Sequence, residues 1–411
     1  MTTVDALELG FDPRDPAFVA DPYPVFARLR AAGRVVPDAA SGLLLLSHHA
    51  DVHAALRHRG LGRVEHGHAP GAARGQPAPH PRWEQSERWS LLNLEPPDHT
   101  RIRRLVSSVF TARAVAALRP LVEELADRHL SRAVRLAATT GGVFDLVADY
   151  AQPFSIDVIC QWLGVPAEDG PLLLRWSHAI VKMYELHAGP LDRERAERAA
   201  DEFIEHVERL IEARRGEPRD DVVSALLAAA DSGEHLTSDE IVSTVIVLLN
   251  AGHEATVNTL GNGMRTALAH PDQWARVRSG EVSPLTAVEE LVRHDAPLQL
   301  FERWVRDEVV ELAGHTFVRG QRLGLLFGSA NRDPARFEAP DRFDIGRGDA
   351  GHIGFGGGVH FCIGAPLARL ELEASVAGLA RLGEALRPAG DAAYRPFFVI
   401  RGLQGLPLRV D

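Results

Sequence analysis

The stretch GFGGGVHFCIG, residues 354–364, decides how this chain reads. Five glycines surround Cys362, and the rest of the sequence holds one further cysteine, Cys160. Glycine loses more conformational freedom on folding than any other residue, so a run of it implies a backbone that bends unusually or passes close to something. Two cysteines in 411 residues do not make a disulfide framework, which fits a reducing compartment. A helical pattern, APLARLELEASVAGLARL (365–382), starts just after Cys362. The unpaired amides and positive end of that helix favour a thiolate over a thiol. Taken alone, Cys362 reads as well as a small buried hydrophobe. The glycines weigh against that reading.

Hydrophobic residues make up 45 % of the chain and charged residues 25 %, enough for a large core. The net charge of -11 disfavours a nucleic-acid partner. The N-terminal MTTVDALELGFDPRDP has no basic segment followed by an apolar one, so neither a signal peptide nor an anchor is expected. The longest apolar stretch, IVSTVIVLLNAG (241–252), carries Ser, Thr and Asn and is too short to span a bilayer. A cytoplasmic protein without a membrane partner is expected.

Helical periodicity dominates. PYPVFARLRAAG (22–33) reads as a helix and residues 33–47 as a hairpin. Residues 60–90 read as a long loop. Helices are predicted near 97–110, 114–138, 149–163, 168–186 and 191–215. TSDE (237–240) is a capping box, with Thr237 as the cap and Glu240 reaching back. The helix it starts runs to about His270, where Pro271 ends it, a length of about 50 Å. Gly252 lies in its middle and needs a reason. Residues 303–326 read as short strands, 330–347 as a meandering loop, and 394–411 as two strands around GLQGLP. With no repeat and no linker, one mainly α (α+β) domain over 1–411 with a minor sheet is expected.

Phe355, Gly358, Cys362 and Gly364 form F-x-x-G-x-x-x-C-x-G. That spacing resembles the haem-binding loop of the cytochrome P-450 family, the haem-thiolate monooxygenases. The resemblance covers almost the whole chain. It implies a single triangular, mostly helical fold with a minor β-sheet region, and a long central helix over the haem. It implies haem b (iron protoporphyrin IX) as cofactor, with the Cys362 thiolate as axial iron ligand favouring O–O cleavage. The glycines would let the loop lie flat under the porphyrin, and Gly252 would let the central helix approach it and distort there. EELVR supplies Glu290 and Arg293, similar to the family's E-x-x-R helix, which locks to the meander through the counterpart of Arg342 in APDRF. By the same comparison His99, Arg103, Arg303 and His360 would hold the haem propionates, arginine being suited to carboxylate forks. Each of the four also reads as an ordinary surface charge.

The central NAGHEATVN (250–258) departs from the family's A-G-x-[DE]-T. The acid is Glu254, but Ala255 stands where the threonine is usual and Thr256 follows it. Thr256 lies about 100° further round the helix and is not expected to fill the same place. A water or a hydroxyl of the substrate would then replace the missing hydroxyl. Substrate-facing candidates are Asn250, Leu298, Leu300 and Phe397.

The implied function is insertion of one oxygen atom from O2 into a mid-sized organic substrate, by hydroxylation or epoxidation, as in natural-product tailoring. No flavin or iron–sulfur segment is read in the chain, so electrons are expected from a separate ferredoxin and ferredoxin reductase. Arg104, Arg113 and Arg369 are candidates to dock an acidic carrier, or serve solubility alone. A peroxide-driven or oxidative-coupling enzyme on the same fold is the nearer alternative, and a non-catalytic haem sensor the further one. GFGGG is not a dinucleotide fingerprint, and GHEATV lacks the second histidine of a zinc protease. His66, His68 and His80 read as solvated loop residues.

Overall fold

The computed structural model describes residues 4–65, 81–231 and 236–410. They form two compact units, one of Met1–Leu61, Arg119–Phe154 and Glu254–Asp411, the other of Gly62–Leu118 and Ser155–His253.

The first unit carries the sheets. The hairpin β1 (Val36–Asp38) and β2 (Leu43–Leu46) forms as the sequence predicts, turned at Gly42 with φ 70°. β2 is an unbroken run of leucine, the signature of a strand covered on both faces. It pairs in parallel with β8 (Arg322–Leu326), which pairs antiparallel with β5 (Leu300–Val305); β3 (Leu61–Gly62) closes the order β1-β2-β8-β5-β3. A Cβ at Gly324 would lie 2.7 Å from Leu45 Cδ2 and 3.5 Å from Leu300 Cδ1. Leu300 is buried in β5 beside this glycine. β6 (Val309–Leu312) and β7 (His315–Val318) are joined by Ala313 and Gly314, with φ 56° and 72°, the mirror-image turn that suits a twisted hairpin.

The third sheet places β10 (Pro407–Arg409) between β4 (Val143–Asp145) and β9 (Arg387–Pro388). The tail thus gives one strand and two isolated bridges, Tyr394 to Leu403 and Leu298 to Ile400, rather than two strands. A Cβ at Gly402 would lie 2.0 Å from Asn258 Oδ1, so this backbone lies close against the long helix.

The long helix runs Ser238–Ala269. Its capping box forms reciprocally. The Glu240 amide donates to Thr237 Oγ1 at 3.2 Å and the Thr237 amide to Glu240 Oε2 at 2.9 Å. Its hydrogen-bonded turns continue without a break through Gly252, so the expected distortion there is not found. One glycine costs about 1 kcal/mol, too little to interrupt a helix this well packed.

In the second unit, Asp98–Val109, Gly170–Val181 and Pro190–Gly216 match the expected helices. The 114–138 pattern divides into Ala112–Ala117 and Arg119–Thr139, since Pro120 lacks the amide that would continue the first. Part of the 60–90 segment is a helix, Pro81–Arg88. Its first turn is capped from afar, with the Arg82 and Trp83 amides donating to the two oxygens of Glu197 at 2.9 Å each. His66, His68 and His80 lie outside the described residues. Among the described residues no single helix is long and apolar enough to cross a membrane.

The first unit is tied together at Asp295, which is fully buried. Tyr23 and Tyr394 donate their hydroxyls to it at 2.5 and 2.7 Å, and Arg401 pairs with it while donating to the carbonyls of Val19 (2.6 Å) and Ala20 (2.7 Å). Arg401→Met would strand the Asp295 carboxylate. The expected loss is about 3–5 kcal/mol, read as a lower urea midpoint at unchanged slope.

Candidate active site

Cys362 is half-buried and forms no disulfide. Its amide donates to the Phe355 carbonyl at 3.0 Å, which closes the loop, and the helix Ala365–Arg381 begins three residues later with Gly364 as its cap. Gly358 has φ 65°, and a Cβ there would lie 2.2 Å from the Leu56 carbonyl at the end of the helix His49–Arg57. A Cβ at Gly354 would lie 2.3 Å from Val292 Cγ1. These two glycines let the loop pack closely against Leu56 and Val292. Gly364 is different: its absent Cβ would stand 4.0 Å from Cys362 Sγ. Cys160 is fully buried, and burial pushes its thiol up to about 12.

Two buried ionic clusters extend from the helix Pro284–His294, one to the meander and one to the loop. Glu290 and Arg293 form a two-pronged pair at 2.7 and 2.8 Å, and Arg293 Nη1 also donates to the carbonyls of Asn331 (2.8 Å) and Pro340 (2.9 Å). The third member is Arg347, 3.3 Å from Glu290 Oε2, not Arg342. Arg342 is exposed and pairs with Asp344. The chain turns between these two arginines so that only the second faces inward.

The other cluster was not read from the sequence. Glu289 accepts from Arg369 Nε at 2.5 Å and Nη2 at 3.1 Å, and meets His352 Nε2 at 3.0 Å. The Gly354 amide donates to His352 Nδ1 at 3.2 Å, which puts the ring proton on Nε2, facing Glu289. The Arg369 guanidinium lies 4.3 Å from the centre of the Phe355 ring. Arg369 is thus engaged by an internal carboxylate, unlike the exposed Arg104 and Arg113 of the second unit. The only sequence signal for this cluster was the first glutamate of EELVR.

Arg303, on β5, is buried; it donates to the Glu302 carbonyl at 3.0 Å and stands over the Phe301 ring. His360 closes the short helical turn Gly358–His360 and is half-buried. In the second unit, His99 (buried) and Arg103 (half-buried) lie four apart on the helix Asp98–Val109. Leu298 and Phe397 are half-buried, Leu298 forming a bridge with Ile400.

From Ile241 to Met264 every residue of the long helix is buried except Ala251, Gly252 and Ala255. Ala251 and Ala255 are exposed and one turn apart, with half-exposed Gly252 beside them. A Cβ at Gly252 would meet Ile159 Cδ1 at 3.3 Å, so that glycine also accommodates a neighbouring side chain. Thr256 is buried, so the hydroxyl and the exposed strip face different ways. Glu254 is buried with Arg395 Nη1 3.8 Å away, a neighbour 141 positions on that the sequence did not reveal. Asn250 is 2 % exposed, and neither its amide oxygen nor its amide nitrogen has a hydrogen-bond partner among the described residues.

These residues fit a haem. A half-exposed cysteine that forms no disulfide sits at the positive end of a helix, the glycine beside its sulfur keeps that side clear, and β5 carries a buried arginine. The strip of alanine and glycine offers a flat, apolar surface. The family model for cytochrome P450 matches residues 44–282 and 285–379. The chain belongs to the cytochrome P450 family. It is 37 % identical to the cytochrome P450 monooxygenase PikC of Streptomyces venezuelae, over 98 % of this chain and 94 % of that one. It is also 37 % identical to the 6-deoxyerythronolide B hydroxylase of Saccharopolyspora erythraea, over the full length of both. Among solved P450 structures, CalO2 superposes with a TM-score of 0.88 at 33 % identity, covering 98 % of each chain. The chain is accordingly a mostly helical P450 monooxygenase, an oxidoreductase.

Burial alone would raise the Glu289 carboxyl, but its hydrogen bonds from His352 and Arg369 outweigh that and hold it at about 2, against 4.5 unperturbed. A lowered carboxyl stabilises the folded state fully above its unfolded value and loses that contribution as pH falls through the folded one. Urea unfolding from pH 6 down to pH 2 should therefore show wild type losing its advantage over Glu289→Gln below about pH 4.5.

Proposed function

We propose that this P450 uses haem b, held by the Cys362 thiolate, to place one atom of O2 on a mid-sized natural-product-like molecule, with electrons from a separate ferredoxin and its reductase. The observation that carries it is the placement of Cys362, half-exposed, closed by the Phe355 carbonyl and set at the start of a helix. Two relatives support the substrate class, the 6-deoxyerythronolide B hydroxylase and the polyketide biosynthesis P450 PksS of Bacillus subtilis.

Bound haem supplies oxygen activation; the chain binds, orients and protonates. Cys362 gives the thiolate, which its helix terminus favours. Arg303 and His360 in the first unit, and His99 and Arg103 in the second, are assigned to the propionates, where a guanidinium fork suits a carboxylate. Glu254, beside Arg395, feeds the proton path. Ala255 is exposed where a hydroxyl is usual and Thr256 is buried, so an ordered water or a hydroxyl of the substrate completes the proton path. Asn250 takes a polar group of the substrate, since a buried amide without a partner is costly and a ligand that pairs it removes the cost.

In the reduced carbon-monoxide complex, wild type should show the red-shifted Soret band of a thiolate ligand, and Cys362→Ser should lose both band and activity, while Cys160→Ser keeps both. Asn250→Leu should weaken substrate binding by about 1–3 kcal/mol, read by spectral titration, with the haem spectrum unchanged. Thr256→Ala should leave the ratio of product to NADH consumed nearly unchanged, and Ala255→Thr should preserve or raise it with substrates that lack a hydroxyl. A collapse of that ratio in Thr256→Ala would show that Thr256 carries the relay.

A further inference from the structure

The first unit holds a connected path from a buried carboxylate to the thiol. Glu289 is gripped by both prongs of Arg369 and by His352. His352 in turn accepts the amide of Gly354, the first glycine of the loop, and its ring lies 5.8 Å from that of Phe355. Arg369 covers the same ring at 4.3 Å. Phe355 accepts the amide of Cys362. Glu289 and His352 are both buried, so neither charge nor hydrogen bond is exchanged freely with water.

From this path we infer that Glu289, His352 and Arg369 are positioning residues for the sulfur, fixing Phe355 and setting the field behind Cys362. The inference rests on the reading of Cys362 as the iron ligand and goes beyond it. It replaces the docking role for Arg369, whose charge faces an internal carboxylate. Partners one step behind a metal ligand orient it and tune the metal, and their loss typically costs a factor of 10–100 in metal affinity or activity. The reduction potential of such a centre responds to nearby charge and hydrogen bonding. A paired charge that is cut on one side leaves the other uncompensated. Arg369→Gln leaves an anion behind the loop, and Glu289→Gln leaves a cation.

The test uses the haem-loaded full chain and three variants, Glu289→Gln, Arg369→Gln and Arg369→Lys. Reduction potentials are measured by dye-mediated titration, and the carbon-monoxide spectrum is followed after dithionite reduction. The two glutamine variants are expected to shift the potential in opposite directions, positive for Glu289→Gln and negative for Arg369→Gln. Both should lose the red-shifted band to the thiol form about tenfold faster than wild type. Arg369→Lys keeps the charge without the fork, so it should keep the potential and still lose the band faster. It also serves if a glutamine variant fails to take up haem. Lower melting temperatures with unchanged potential and band would overturn the inference, since they describe plain support of the fold. Shifts of one sign in both glutamine variants would overturn it as well. So would slower reduction of Arg369→Gln by a ferredoxin alone, with spectrum and potential intact, because that marks a docking residue. A wild type without the red-shifted band would instead overturn the thiolate assignment itself, and this inference with it.

Discussion

A buried carboxylate must be met by cations or strong donors, and the helix Pro284–His294 with the residue after it carries three of them, Glu289, Glu290 and Asp295. Each one recruits a different part of the first unit. Glu290 fixes Arg347 and the Asp344 amide of the meander. Glu289 fixes the helix that follows the cysteine, through Arg369, and the start of its loop, through His352. Asp295 fixes segments near both ends of the chain through Arg401. Segments with little regular structure of their own thereby acquire a single position. Such pairs add little net stability compared with apolar packing, yet removing one partner is severe. Their effect is to select one arrangement of loops out of many.

Local signals in the sequence located most of the helices. The Thr237–Glu240 box, Pro271 after the long helix and the 33–47 hairpin all act within a few residues, and each is found. What the sequence hid was action over distance. The helix Pro81–Arg88 depends on a cap from Glu197, and a scan for caps looks only at neighbours. Arg342 and Arg347 are five apart in one loop, and nothing local says which turns inward.

At the candidate site the residue types were legible and the neighbours were not. Cys362 stood out through its glycines, although two of those glycines serve contacts with Leu56 and Val292. Glu254 was visible as an acid; Arg395 beside it belongs to the far end of the chain. The departure at Ala255 was readable from spacing alone. The structure adds its physical content: the exposed strip of the long helix carries only methyl groups and hydrogen, and the adjacent hydroxyl is turned into the core.

The two cysteines have a consequence of a different kind. Cys160 is sealed inside the protein with its thiol held near 12, so in the folded state it stays protonated and shielded from reagents. Cys362 is the half-exposed one. The folded chain therefore behaves toward a thiol-directed label as a protein with a single cysteine. Because the labelled sulfur is the one assigned to iron, the extent of labelling becomes a chemical count of cofactor-free molecules in any preparation, with no engineered site required.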